Sequence, residues 1–177
     1  MSIENVDRLV KKLSKLDSSI QQDIMMETVR QCDIQVQKQA RLFAPYNSNN
    51  LKRSILTKEE VKGDKIVGSV YTNLEYAPYV EFGTGPIGQS HHQGISPEVT
   101  PKYRQTGWGI PASKVSKKDA EKYGWEKRIY KGKEYYMTYG QPARPFLYPA
   151  LKDQEKGLKK FAKNHVAKKI KEICKND

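Results

Sequence analysis

The chain has few of the residues that a catalytic, metal-binding or membrane role would need. No apolar run approaches the roughly 18 residues of a membrane-spanning helix. The first twenty residues are amphipathic and mixed in charge, unlike a secretory signal, which points to synthesis and retention in a cytoplasm. There are two cysteines, Cys32 and Cys174, far apart within helical patterns. That spacing suits reduced thiols and matches no disulfide framework or metal ribbon. Of three histidines, His91 and His92 are adjacent and diverge in an extended loop, while His165 is distant, so no metal set is completed. No serine or cysteine sits in a nucleophile motif. The glycine-rich stretch Phe82-Gly83-Thr84-Gly85-Pro86-Ile87-Gly88 lacks the lysine of a phosphate loop and carries a proline. Glu75 and Glu81, six apart, fix no acid–base geometry. The expectation is a protein without catalytic residues, cofactor or metal.

What is present is aromatic and basic. The 177 residues include eleven tyrosines and two tryptophans, too many for a disordered chain. The net charge of +12 is uneven, with residues 1–84 nearly neutral and the excess lying in residues 85–141 and 152–177. A basic tail attracts nucleic acid or an acidic protein surface, and Lys159, Lys160, Lys163 and Lys168 are the candidate contacts. The plainer reading of such lysines is a solvated helix face.

Periodicity predicts an amphipathic helix over residues 3–16, with Ile3, Val6, Leu9, Val10, Leu13 and Leu16 on one stripe. Ser18 and Gln21 fit a capping box opening a second helix, which runs to Phe43 and ends before Pro45. A turn at Asn47–Asn50 leads to strands over Leu51–Thr57 and Lys65–Thr72. Tyr76–Phe82 reads as a strand or a helical turn. Residues 83–142 gather glycine, proline, both tryptophans and six tyrosines. They predict a loop through Gly94 and Pro101, a short helix within Ser113–Tyr123 capped by Ser113 or Ser116, and a hairpin of 128–130 with 135–139 around Lys131-Gly132. A final helix spans about Pro149 to Cys174, with Leu151, Leu158, Phe161, Ala162, Val166, Ile170 and Ile173 on its apolar face. The predicted fold class is α+β: N-terminal helices, a small antiparallel sheet and a long C-terminal helix packed on it. It forms one domain over residues 1–177, with an aromatic-rich lobe inserted at about 84–142.

Four segments occur in a telling order. They are Ala40-Arg41-Leu42-Phe43-Ala44-Pro45, Leu51-Lys52-Arg53-Ser54-Ile55, Tyr76-Ala77-Pro78-Tyr79-Val80-Glu81-Phe82-Gly83-Thr84, and Arg144-Pro145-Phe146-Leu147-Tyr148-Pro149-Ala150-Leu151. Their order resembles the tail-completion, or head–tail joining, family of long-tailed bacteriophages, whose pattern runs A-P-x-x-T-G-x-L-R-x-S-I, then Y-A-x-Y-V-E-F-G-T, then R-P-F-L-x-P-A-L. Asn49-Asn50 replaces the usual Thr-Gly, a turn that asparagine can keep through a left-handed backbone. The span from Thr84 to Arg144 is long for the family.

The resemblance implies a virion protein of a phage or prophage neck, made in the host cytoplasm. It would form a ring, sixfold by the family's habit, between connector and tail proteins, with DNA passing through. Tyr76, Ala77, Tyr79, Val80, Glu81, Phe82, Gly83, Thr84, Arg144, Pro145, Phe146, Leu147, Ala150 and Leu151 match the motifs residue by residue. Tyr76, Tyr79 and Phe82 are expected in the core beside Phe146 and Leu147. The rival is a nucleic-acid-binding protein using the aromatic and basic mixture of residues 103–139 and the lysine-rich helix.

Overall fold

The computed structural model describes residues 10–176 apart from 12, 15 and 46–48, with side chains described as far as 173. The chain divides into two compact units. One comprises residues 1–74 with 146–177, and the other, residues 75–145, is inserted between them.

In the first unit, α1 (Ser18–Phe43) runs 26 residues. Asp17 caps it, its carboxylate accepting the Ser19 amide at 2.8 Å. The expected Ser18 box is therefore displaced by one residue. The Gln21 side chain turns back instead to the Leu16 carbonyl. Of the predicted helix over 3–16, residues 10, 11 and 13 are helical, and most of the remainder lies outside the described residues.

Leu51 does not begin a strand. Residues Asn49–Ser54 form the short helix α2, and β1 (Ile55–Lys62) starts only afterwards. Leu51 and Ile55 are both buried while Arg53, midway between them, is exposed, a pattern that suits one helical face and breaks strand alternation. The expected left-handed turn at Asn49-Asn50 is likewise replaced by the first turn of α2, and Asn47 and Ser48 lie outside the described residues. The Ile55 carbonyl then accepts from Gln37 Nε2 and Arg41 Nη2, fixing the strand's start to α1. β1 pairs antiparallel with β2 (Lys65–Thr72), with Ile55 opposite Thr72 and Glu59 opposite Gly68.

The last helix, α6 (Leu147–Asn176), packs along α1. Ile24, Val166 and Ile170 form a buried cluster there, flanked by Leu13, Leu16 and Ile173. Thr28 ties the two helices. Its hydroxyl donates to the Ile24 carbonyl and lies 2.9 Å from His165 Nδ1, so the ring donates to it. The hairpin is covered chiefly by α1, which stands where α6 was expected. Leu151, assigned to the apolar face of α6, is half exposed. Gly157 has open space where a side chain would go. Gly157→Ala should therefore raise stability by about 0.5–1 kcal/mol, read as an increased urea midpoint at unchanged slope.

The inserted unit holds α3 (Ala77–Phe82), α4 (Gly85–Ser90), α5 (Lys117–Lys122) and a sheet of β3 (Trp108–Pro111), β4 (Glu126–Tyr130) and β5 (Lys133–Thr138). Strand order is β3-β5-β4, all antiparallel. The predicted hairpin is present, and Lys131 and Gly132 both have positive φ, the signature of a type I′ turn. Ser116 caps α5 by accepting the Asp119 amide. Two elements depart from expectation. Gly85-Pro86 opens a helix inside the predicted loop, since proline suits a first turn. Trp108–Pro111, unassigned by pattern, adds an edge strand. The elements together are α+β, as expected.

Candidate assembly surface

The Tyr76–Thr84 motif is a helix followed by a crossing of two backbones. Ala77 and Glu81 are buried on the inner side of α3. Tyr76 and Tyr79 are not core residues as expected, and Tyr79 is 58% exposed. Helical spacing explains the difference: Ala77 and Glu81, four apart, share the inward face, leaving the tyrosines outside.

Beyond Phe82 the chain meets residues 139–144 at backbone distance. Thr84 and Gln141 form a two-way bridge, with Thr84 N–H donating to Gln141 O at 2.9 Å and Gln141 N–H returning to Thr84 O at 3.2 Å. The Gln141 side chain donates to the Tyr79 carbonyl at 2.9 Å, and the Arg144 amide to the Val80 carbonyl at 2.8 Å. Tyr103 Oη donates to the Phe82 carbonyl at 2.8 Å from a third direction.

Glycine makes this crossing possible. A Cβ on Gly83 would lie 2.7 Å from Ala143 N and 2.8 Å from Gln141 O, and one on Gly88 would lie 2.7 Å from the Gly83 carbonyl carbon. At Gly85 and Gly140 it would overlap the carbonyls of Tyr139 and Thr84 outright. The glycine-rich stretch is thus a close-packed backbone clamp, and its glycines serve approach, not ligand binding.

The remaining motif residues divide between the units. Pro145 is the last residue of the inserted unit, while Phe146, Leu147, Ala150 and Leu151 belong to the first. Phe146 and Ala150 are wholly buried. Gln141, Gly140 and Tyr103 belong to the clamp but carry no motif signal of their own. The Tyr-Gly-Gln run before the R-P-F-L motif was the only available hint.

The outer surface of the inserted unit is aromatic and basic. β4 is exposed along its whole length, with Ile129 at 72% and Tyr130 also open to solvent. Lys131 lies over the Tyr130 ring, Lys122 over Tyr123, and Arg104 over Trp108, each within 6 Å. Tyr123 stacks on Trp125. His91 Nδ1 is 2.8 Å from Ser90 Oγ, and His92 stacks on Tyr103. Lys127 pairs with Glu134 and Arg128 with Glu126, which moderates the positive charge of the hairpin.

On α6 the four candidate lysines differ. Lys159 and Lys168 are strongly exposed but each has an acidic neighbour four residues away, Glu155 and Glu172. Lys160 is exposed and Lys163 half-buried. Among the described residues no helix is long and apolar enough to cross a membrane.

The chain's likeness to known families lies in its N-terminal part. Residues 7–83, less than half of the chain, match the family described as Bacteriophage HK97-gp10, putative tail-component. The match takes in α1, α2, the β1–β2 hairpin and α3, and ends at the first clamp glycine. No curated protein and no solved structure matches the chain.

Proposed function

We propose that this protein is a structural component of a phage tail, acting in the neck to complete the tail and join it to the head. The similarity of residues 7–83 to a phage tail component is the observation that carries this reading. The ordered Y-A-x-Y-V-E-F-G-T and R-P-F-L-x-P-A-L motifs support the neck in particular. Copies assemble into a ring, six by the family's habit, between connector and tail-tube proteins, around the DNA path. The work is done by surface complementarity with no bond-making step. The exposed large apolar side chains of the inserted unit, Tyr76, Tyr79, Ile129 and Tyr130, are the ones best suited to anchor protein contacts.

The test is genetic. Removing the gene from its phage should leave filled heads and separate, unattached tails in the lysate by electron microscopy, with infectious titre lost. Normal particles and titre would refute the assignment. Direct DNA binding by the purified protein, with affinity falling steeply as salt rises, would favour the nucleic-acid-binding alternative.

A further inference from the structure

The apolar stripe of α1 is broken by an acid. Ile24, Thr28, Val36 and Ala40 are the buried positions of this helix, and Asp33 is buried among them, 9% exposed. Its carboxylate lies directly over the backbone of β2 at Gly68, where a Cβ would overlap both carboxylate oxygens. Gly68 is the cross-strand partner of Glu59. Partners in an antiparallel pair project from the same face, so Glu59 meets Asp33 across the seam.

Each carboxylate has one buried oxygen without a hydrogen-bond partner, Asp33 Oδ2 and Glu59 Oε1. Elsewhere both are engaged. The Ser69 amide donates to the Asp33 carboxylate, and Glu59 Oε2 lies 3.7 Å from Arg30 Nε. Two buried acceptors without partners, on carboxylates close enough for the charge of Glu59 to act on Asp33, are costly as a pair of anions. A proton on Asp33 eases this, because it removes one of the two charges and turns an unpartnered acceptor into a donor in a seam that holds a second unpartnered acceptor.

We propose that Asp33 and Glu59 form a proton-binding site in the seam between α1 and the β1–β2 hairpin, and that release of the proton loosens the hairpin from the helix. Burial, and then the charge of Glu59, push the Asp33 carboxyl up to about 6. The other charged groups around the seam leave it so. Arg30 serves Glu59, and the Cys32 thiol is itself pushed up by burial and by Asp33. β2 brings only Gly68 and the Ser69 amide, while Lys58 and Glu60 pair with each other. α6 brings His165 to Thr28 and Lys169 to the groove lined by Asp23, Glu27 and Arg30. Among the described residues no cation is paired with Asp33.

The direction of the pH effect follows from the raised value. Well below the ordinary aspartate value of 3.8, folded and unfolded chains both hold the proton and nothing is lost. Between there and about 6 only the folded chain keeps it, and above that the seam carries an extra anion. Stability from this site is present in acid and disappears as pH rises through about 6, the reverse of a salt-bridged aspartate.

Thermal unfolding of the full chain, followed by circular dichroism from about pH 5 to about pH 7.5, tests this with wild type and Asp33→Asn. Asparagine keeps the shape and donates to Glu59 without titrating. The wild-type midpoint should fall by on the order of 5 °C across that range relative to Asp33→Asn. Parallel profiles would overturn the proposal. Should the variant not fold, carbon NMR of the wild-type Asp33 carboxyl decides: inflection near pH 6 supports the site, and inflection at an ordinary aspartate value rejects it. A rise in the wild-type midpoint with magnesium or calcium at neutral pH, absent from Asp33→Asn, would assign the seam to a metal and also reject it.

Discussion

Gly140→Ala is expected to cost the inserted unit more than about 3 kcal/mol, enough to unfold much of it at ambient temperature. Two effects add. Gly140 has φ +102, a backbone that side chains rarely adopt, and a Cβ there would overlap the Thr84 carbonyl. Strain alone is the smaller part. Gly132 also has positive φ but open space around it, so Gly132→Ala should cost only the left-handed penalty of about 1–2 kcal/mol. At Gly140 the neighbour is backbone and cannot swing away as a side-chain tip would. The Thr84–Gln141 bridge must separate, releasing its paired amides and carbonyls. Both tryptophans, Trp108 and Trp125, lie in this unit, so fluorescence-detected urea unfolding reads it directly. A Gly140→Ala midpoint no lower than that of Gly132→Ala would refute the overlap.

Phe146→Ala should destabilise the first unit by about 3–5 kcal/mol. Phe146 is 0% exposed and the largest wholly buried side chain of the described residues. It stands one residue before α6, so its pocket fixes where the 30-residue helix begins. Removing the ring leaves a void that the backbone can close only by shifting that helix start. The loss should appear in helical circular dichroism, because α1 and α6 hold most of the helix and both belong to this unit. Phe146→Leu, which keeps most of the volume, should recover much of it. An Ala variant within 1 kcal/mol of wild type would show that the pocket collapses freely.

How much of this was visible in the chain depended on the range of the interaction. α1 and α6 were legible because their apolar residues recur at three and four positions, and the β4–β5 turn because Lys131-Gly132 suits a tight reversal. Local signals failed where two readings shared one pattern. Leu51 and Ile55 are consistent with a strand by residue type, yet Leu51 lies in a helix, and the exposed Arg53 between the two buried residues breaks the alternation that a strand would show. The glycines of 83–88 read as a loop because glycine permits so many conformations, although here they allow a helix and a backbone crossing. The clamp was illegible for another reason. Thr84 and Gln141 are 57 residues apart, and nothing in either segment names its partner. Asp33 could have been found, since an acid at a core position of a periodic stripe is an anomaly in the sequence itself.

The clamp closes the inserted unit at its own base. Arg144 meets Val80, and Gln141 meets Thr84, so the outgoing and returning chains are stapled together before the rest of the unit begins. Everything between His92 and Thr138 then hangs from a closed stem. Lengthening such a closed loop is cheap, as each doubling adds only about 0.6 kcal/mol of closure entropy. The stem is therefore a socket for interchangeable heads. A short turn or a longer folded segment can be joined to the same stem at little entropic cost, so the length of what the stem closes is free to change while the clamp that closes it stays as it is.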